Sequence, residues 1–168
     1  MSCMFKKIIQ TTDNFSFTFL RIALGMVLLA HGVQKAFGWF NGFGWNDSIN
    51  YFTGTVGLPY ALAAFVILIE TLGAVLLIAG FAGRINAVLM AIVIAGAFFV
   101  DHVHNGFYMN WFGVQKGEGY EFDILFWGIS IAIVINGSGK FSIDKWLTNK
   151  LEKADLTAMK KKEFFAAA

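Results

Sequence analysis

Between Asp101 and Asp123 the chain reads DHVHNGFYMNWFGVQKGEGYEFD. These 23 residues hold His102 and His104, two of the three histidines, and Asp101, Glu118, Glu121 and Asp123, four of the eleven acids. Imidazole and carboxylate close together can exchange protons near neutral pH and hydrogen-bond a polar ligand. Phe107, Tyr108, Trp111 and Phe112 lie between them and offer flat apolar faces. Cys3 is the only cysteine, which excludes an internal disulfide, a CxxC redox pair and a thiolate metal cluster. Any redox chemistry here must therefore use a bound cofactor or a partner's thiols.

Long apolar runs flank this polar stretch, in a chain that is 57% hydrophobic and 14% charged with 19 phenylalanines. Mean hydropathy is +0.63. A soluble domain of 168 residues does not hide that much apolar surface, so lipid must be part of the solvent. The pattern predicts a first helix over 15–37, long enough for a core roughly 30 Å thick, and a glycine- and aromatic-rich loop over 38–58. Asp47 or Ser48 is the candidate cap of a short interfacial helix in that loop. A second helix runs from Pro59, the sole proline, to Gly80. After the very short turn 81–84 comes a third helix from Arg84 to Val103, necessarily an antiparallel neighbour. A fourth covers 120–136 and stops at the glycines of 137–139. The expected class is all-α, a polytopic membrane four-helix bundle. It divides into a basic lead (1–14), the helical domain (15–139) and a tail (140–168) that is partly a polar amphipathic helix. The closing Ala166–Ala168 are set aside as an appended sequence.

Lys6, Lys7, Arg84 and the seven lysines of the tail share one side, whereas the opposite loops offer little beyond Lys116 and Lys35. The positive-inside rule then places both termini in the cytoplasm, in an inner, plasma-membrane setting, with the polar stretch outside. Expected partners are the lipid bilayer, other membrane or redox proteins and, as an option, further copies of the chain. No nucleic acid is expected.

An ionisable group on a membrane helix is costly unless it faces the bundle interior. Each helix carries one on a stripe of small residues, which let membrane helices approach closely. The stripes are Arg21, Gly25 and Gly32; Ala63, Glu70 and Ala74; Ala91, Ala95 and His102; and Glu121, Gly128 and Ala132. With Met26 at mid-membrane and a rise of about 1.5 Å per residue, Arg21 falls roughly 7 Å to one side and His31 a similar distance to the other. Lys35, His102 and Glu121 land roughly 13 Å out, with His31 just beneath. The expected contacts are a structural ion pair between Arg21 and Glu70 and a His102–Glu121 contact near the outer boundary. Lys35, His31, Phe107 and Trp111 join the latter as candidate ligand-binding residues. Asp123 projects nearly opposite to Glu121. No metal site is expected: His31 and His102 differ by roughly 6 Å in depth, against bis-histidine haem. His102 and His104 also project to different sides.

With R-x3-G at 21–25, HGVQK at 31–35, GLP at 57–59, the central Glu70, GFYMNWFGVQKGEGYEFD at 106–123 and GSGKFSIDKWL at 137–147 in order, the chain resembles the DoxX/DoxD family of small four-helix membrane proteins. The likeness runs from about Leu20 to Leu147; His104 and Asp101 are not among the family's marks. It implies the fold and the membrane location. It also implies a link to quinone- or thiol-dependent redox complexes as an accessory subunit, with quinone as the candidate cofactor. The alternative is a non-enzymatic scaffold or assembly factor for other membrane proteins. No helix breaks near mid-membrane as a transporter's would.

Overall fold

The computed structural model describes residues 3–166, so Met1, Ser2 and the last two of the alanines set aside above lie outside the described residues. A short helix, α1 (Cys3–Ile9), precedes α2 (Phe15–Phe37). Helix α2 starts where the Asn14 side chain accepts the Ser16 N–H at 2.8 Å and ends at Gly38, whose φ of 72° only glycine adopts without strain. Helix α3 (Gly44–Asn50) continues into a wide turn over Tyr51–Thr55. Its first turn follows Phe43 with no side-chain cap, so neither Asp47 nor Ser48 plays the expected part; Ser48 is buried instead.

Helix α4 spans Tyr60–Ala79. Pro59 stands just outside it, its carbonyl accepting the Leu62 and Ala63 N–H groups. A single π turn, Ile69–Gly73, interrupts α4 and carries Glu70. Helix α5 (Gly83–Val100) gives way to a 3-10 turn at His102–Asn105, three residues before the expected end. Helix α6 covers Glu121–Asn136 and α7 covers Ile143–Ala166.

Helices α2, α4, α5 and α6 pack in a ring in which each touches the next in sequence, and α6 closes back on α2. Leu24, Leu28, Ile69, Ala74, Leu77, Ala87, Met90 and Ile133 form the core inside it. Phe19, Met26, Phe65, Leu72, Ile92, Leu125 and Ile131 point outward and are exposed. A helix apolar on both faces belongs in lipid. By length and composition three helices, α2, α4 and α5, can cross a membrane. Helix α6, with 16 residues, measures about 24 Å.

The stripes on α2 and α4 face inward as expected: Arg21, Gly25, Gly32, Ala63, Glu70 and Ala74 are all buried. A Cβ on Gly32 would lie 2.4 Å from the Glu70 carbonyl oxygen, so the two backbones meet there with no room for a side chain. On α5 the buried line is Gly83, Asn86, Ala87 and Met90, one helical face away from Ala91 and Ala95. On α6 it is Asp123, Ser130 and Ile133. Gly128 looks into open space, so the expected α6 stripe was rotated by about half a turn. The reason is competition between signals: small residues mark close approach only where another helix is present, and here buried polar groups outrank them.

Helix α1 and the start of α7 lie together at one end of the ring, the terminal end. There Arg21, 2% exposed, donates from Nε to the Ser138 carbonyl at 2.7 Å and from NH1 to the Leu77 carbonyl at 3.0 Å. It also donates to the carbonyls of Ile78 and Phe141. Asp144, 1% exposed, accepts the Ala82 and Gly83 N–H groups at 2.8 and 2.9 Å and the Ser138 hydroxyl at 2.6 Å. The carboxylate thus satisfies the orphan amides at the start of α5, where the helix dipole favours a negative charge. The guanidinium does the same for orphan carbonyls at the end of α4. Helix α1 packs on α7, with a Lys6–Asp155 ion pair and the Thr148 hydroxyl donating to the Ile9 carbonyl at 3.1 Å.

The close approach at Gly32 yields a direct contrast. Gly32→Ala is expected to destabilise the protein by roughly 1–3 kcal/mol through forced separation of α2 and α4. Gly96→Ala, where nothing lies within 4 Å, is expected to be neutral or slightly stabilising. Thermal unfolding of the two variants in detergent checks this.

Candidate functional site

The opposite, distal end of the ring gathers the remaining buried charges. Lys35, in the last turn of α2, donates to Glu70 Oε2 at 2.6 Å; the two side chains are 26% and 7% exposed. The expected Arg21–Glu70 pair is therefore replaced by Lys35–Glu70, and the cause is helix register. Helix α4, Tyr60–Ala79, is displaced along α2 toward the distal end. Arg21 then meets Leu77 and Ile78, Gly25 meets Ala74 and Ile78, and Gly32 meets Glu70 and Thr71. Glu70 comes level with the end of α2. The π turn that carries it is held on one side by the Thr71 hydroxyl donating to the Ile67 carbonyl at 2.7 Å. Such turns recur at functional sites.

His102 follows the last turn of α5, where Nδ1 lies 2.8 Å from Asp123 Oδ2; the side chains are 24% and 5% exposed. The expected partner was Glu121. Its Oε1 instead accepts the Met109 N–H at 3.1 Å and the Trp111 indole N–H at 2.9 Å. Asp123, assigned to the far side of the helix, is the carboxylate that points inward. Two residues along a helix rotate the direction by about 200°, so choosing the wrong acid of E-F-D inverted the face.

Glu121 belongs to the construction of the 106–120 loop. The loop is clasped at its base by Tyr120 N–H to the Gly106 carbonyl (3.2 Å) and Glu121 N–H to the Phe107 carbonyl (2.9 Å). Glu118 accepts the Asn110 N–H at 2.8 Å, and the Asn110 side chain holds both backbone groups of Gln115. Phe107 stacks edge-on against Tyr108 and Tyr120, and Trp111 against Phe122. Phe107 is half-exposed and Trp111 largely so. Asp101 and His104 are exposed, and Asp101 bonds only locally, to Asn105.

His31, one turn before Lys35 on α2, is exposed at the same end, within electrostatic range of Lys35, Glu70 and His102. Four of the residues singled out from sequence, His31, Lys35, Glu70 and His102, thus come together, with Asp123 as the member that the sequence reading missed. Its signal was present: an acid two residues from Glu121 whose seventh successor, Ser130, falls on the same helical face.

Chemically, the distal end offers one cation–carboxylate pair, one imidazole–carboxylate pair and a second, exposed imidazole, His31. Such groups can hold a polar ligand and pass protons to and from it. Removing one member of a buried pair leaves an uncompensated charge. Lys35→Met should therefore destabilise the protein by about 3–5 kcal/mol, and adding Glu70→Gln should recover much of that loss. A double-mutant cycle of unfolding midpoints in detergent measures it.

The family model named DoxX matches residues 16–103, just over half of the chain. A Bacillus subtilis (strain 168) protein named "Putative oxidoreductase CatD" is 30% identical over 139 residues, covering 83% of this chain and 92% of that protein. No solved structure matches the chain. On the family model, the relative and the apolar helices together, the chain is a membrane protein that belongs to the DoxX family.

Proposed function

We propose that this protein is an accessory subunit of a redox-linked membrane complex, and that the distal cluster binds a quinone or its quinol. One observation carries the reading: two partly buried pairs, Lys35–Glu70 and His102–Asp123, lie at the same end of an otherwise apolar ring. A quinone head has two oxygens that need donors or acceptors, and the ring must lie within reach of lipid. Lys35 supplies a donor, and the free ring nitrogen of His102 supplies the second polar contact. The relative's printed name, an oxidoreductase, supports the same class. The bound group would supply two-electron chemistry. The chain's own residues hold its oxygens, exclude bulk water and exchange protons.

In this reading α6 completes a fourth span, its 16 helical residues extended by the packed loop at its start. The lysine-rich terminal end faces the cytoplasm and the distal cluster the outer side. Phosphatase fusions report this: a fusion after Gly113 is expected to be active and one after Lys140 inactive. The opposite pattern reverses the orientation.

A scaffold reading draws on a different surface, the exposed Trp111, Phe112 and Val114 of the distal loop, which would seat another membrane protein. The two are separable. Protein purified gently from native membranes should carry quinone, and His102→Ala should lower its quinone content at least several-fold without lowering the unfolding midpoint in proportion. Undiminished quinone in that variant, or a stoichiometric protein partner and no quinone, refutes the redox assignment.

A further inference from the structure

The His102–Asp123 contact has a direction. With Asp123 ionised, its carboxylate only accepts hydrogen bonds, and the hydrogen between Asp123 Oδ2 and His102 Nδ1 then sits on the imidazole nitrogen. In a neutral ring the other nitrogen, Nε2, then carries a lone pair and no hydrogen. Among the described residues Nε2 has no hydrogen-bond partner, and a quarter of the side chain remains exposed. Asp123 itself is 3% exposed and makes no other side-chain bond among the described residues, so holding this ring is what its burial achieves.

A quinone and its quinol differ in what they ask of such a nitrogen. Quinone oxygens are acceptors and gain nothing from a lone pair. A quinol hydroxyl is a donor and fits it. Resting on the quinone-site reading above, we infer that Asp123 is a positioning residue that makes the distal site selective for the quinol form. It does so by presenting His102 Nε2 as an acceptor. The inference concerns binding; no electron transfer is assigned to the chain. Lys35, donating to Glu70, keeps further N–H groups for the other oxygen of the same ligand, which accepts in either redox form. The discrimination therefore falls on His102.

The experiment uses the full-length protein in detergent with decylubiquinone and decylubiquinol under anaerobic conditions, reading the affinity of each form and the midpoint potential of the bound couple. The wild type is expected to bind quinol about tenfold more tightly than quinone, raising the potential of the bound two-electron couple by about 30 mV. Asp123→Ala and the isosteric Asp123→Asn, which can present either a donor or an acceptor to Nδ1, should both lose most of that preference and bring the potential back toward the free value. The Asn variant guards against loss of fold. If the wild type binds both forms equally, or if the preference survives in both variants, the inference is overturned while the quinone site stands. If the wild type binds neither form, the underlying reading falls with it.

Discussion

A guanidinium buried at the terminal end sets the geometry of everything above it. Arg21 cannot stay charged in an apolar ring unless its donors are used, and its neighbours use them: carbonyls of Leu77 and Ile78 from α4, and of Ser138 and Phe141 from the segment after α6. Ser138 passes the interaction on to Asp144, which in turn holds the first amides of α5. One cation thereby ties three elements to a single level. A buried charge of this kind is weak evidence for net stability, but it penalises any other register heavily. In a lipid solvent, where apolar faces slide past one another with little preference, that penalty is the main source of register.

The register decided there reaches the distal end through rigid helices. With α4 pinned at Leu77 and Ile78, Gly32 falls against the backbone of the π turn and Lys35 falls beside Glu70. Gly80 is part of the same constraint: its φ of 70° turns the chain, and a Cβ there would press on Ser142 and on the Arg21 guanidinium. The two ends of the molecule are chemically different results of one alignment. At the terminal end charges are consumed by backbone groups; at the distal end they are paired with each other and remain partly accessible.

Much of the fold was legible because its signals are local. The limits of α2 follow from Asn14 and Gly38, and those of α4 from Pro59 and Gly80, each a residue whose backbone preference acts without help from the rest of the chain. The inward faces of α2 and α4 were legible as well, because glycine and alanine there mark one continuous contact. The site was legible only in part. His31, Lys35, Glu70 and His102 stand out as costly residues in apolar runs, but their partners do not. Choosing between Glu121 and Asp123 requires the rotation of α6, which its own residues leave ambiguous because both acids begin the helix.

The sequence alone determined that the chain is helical, that lipid must be its solvent, where α2 and α4 begin and end, and which polar side chains need an explanation. These are properties of composition, spacing and single-residue backbone preference. Only the tertiary structure decided who meets whom: Arg21 with carbonyls, Glu70 with Lys35, His102 with Asp123, Glu121 with its own loop. Pairing depends on axial register and helix rotation. Both are set by contacts between residues far apart in the chain, and a shift of one turn or two residues exchanges every partner.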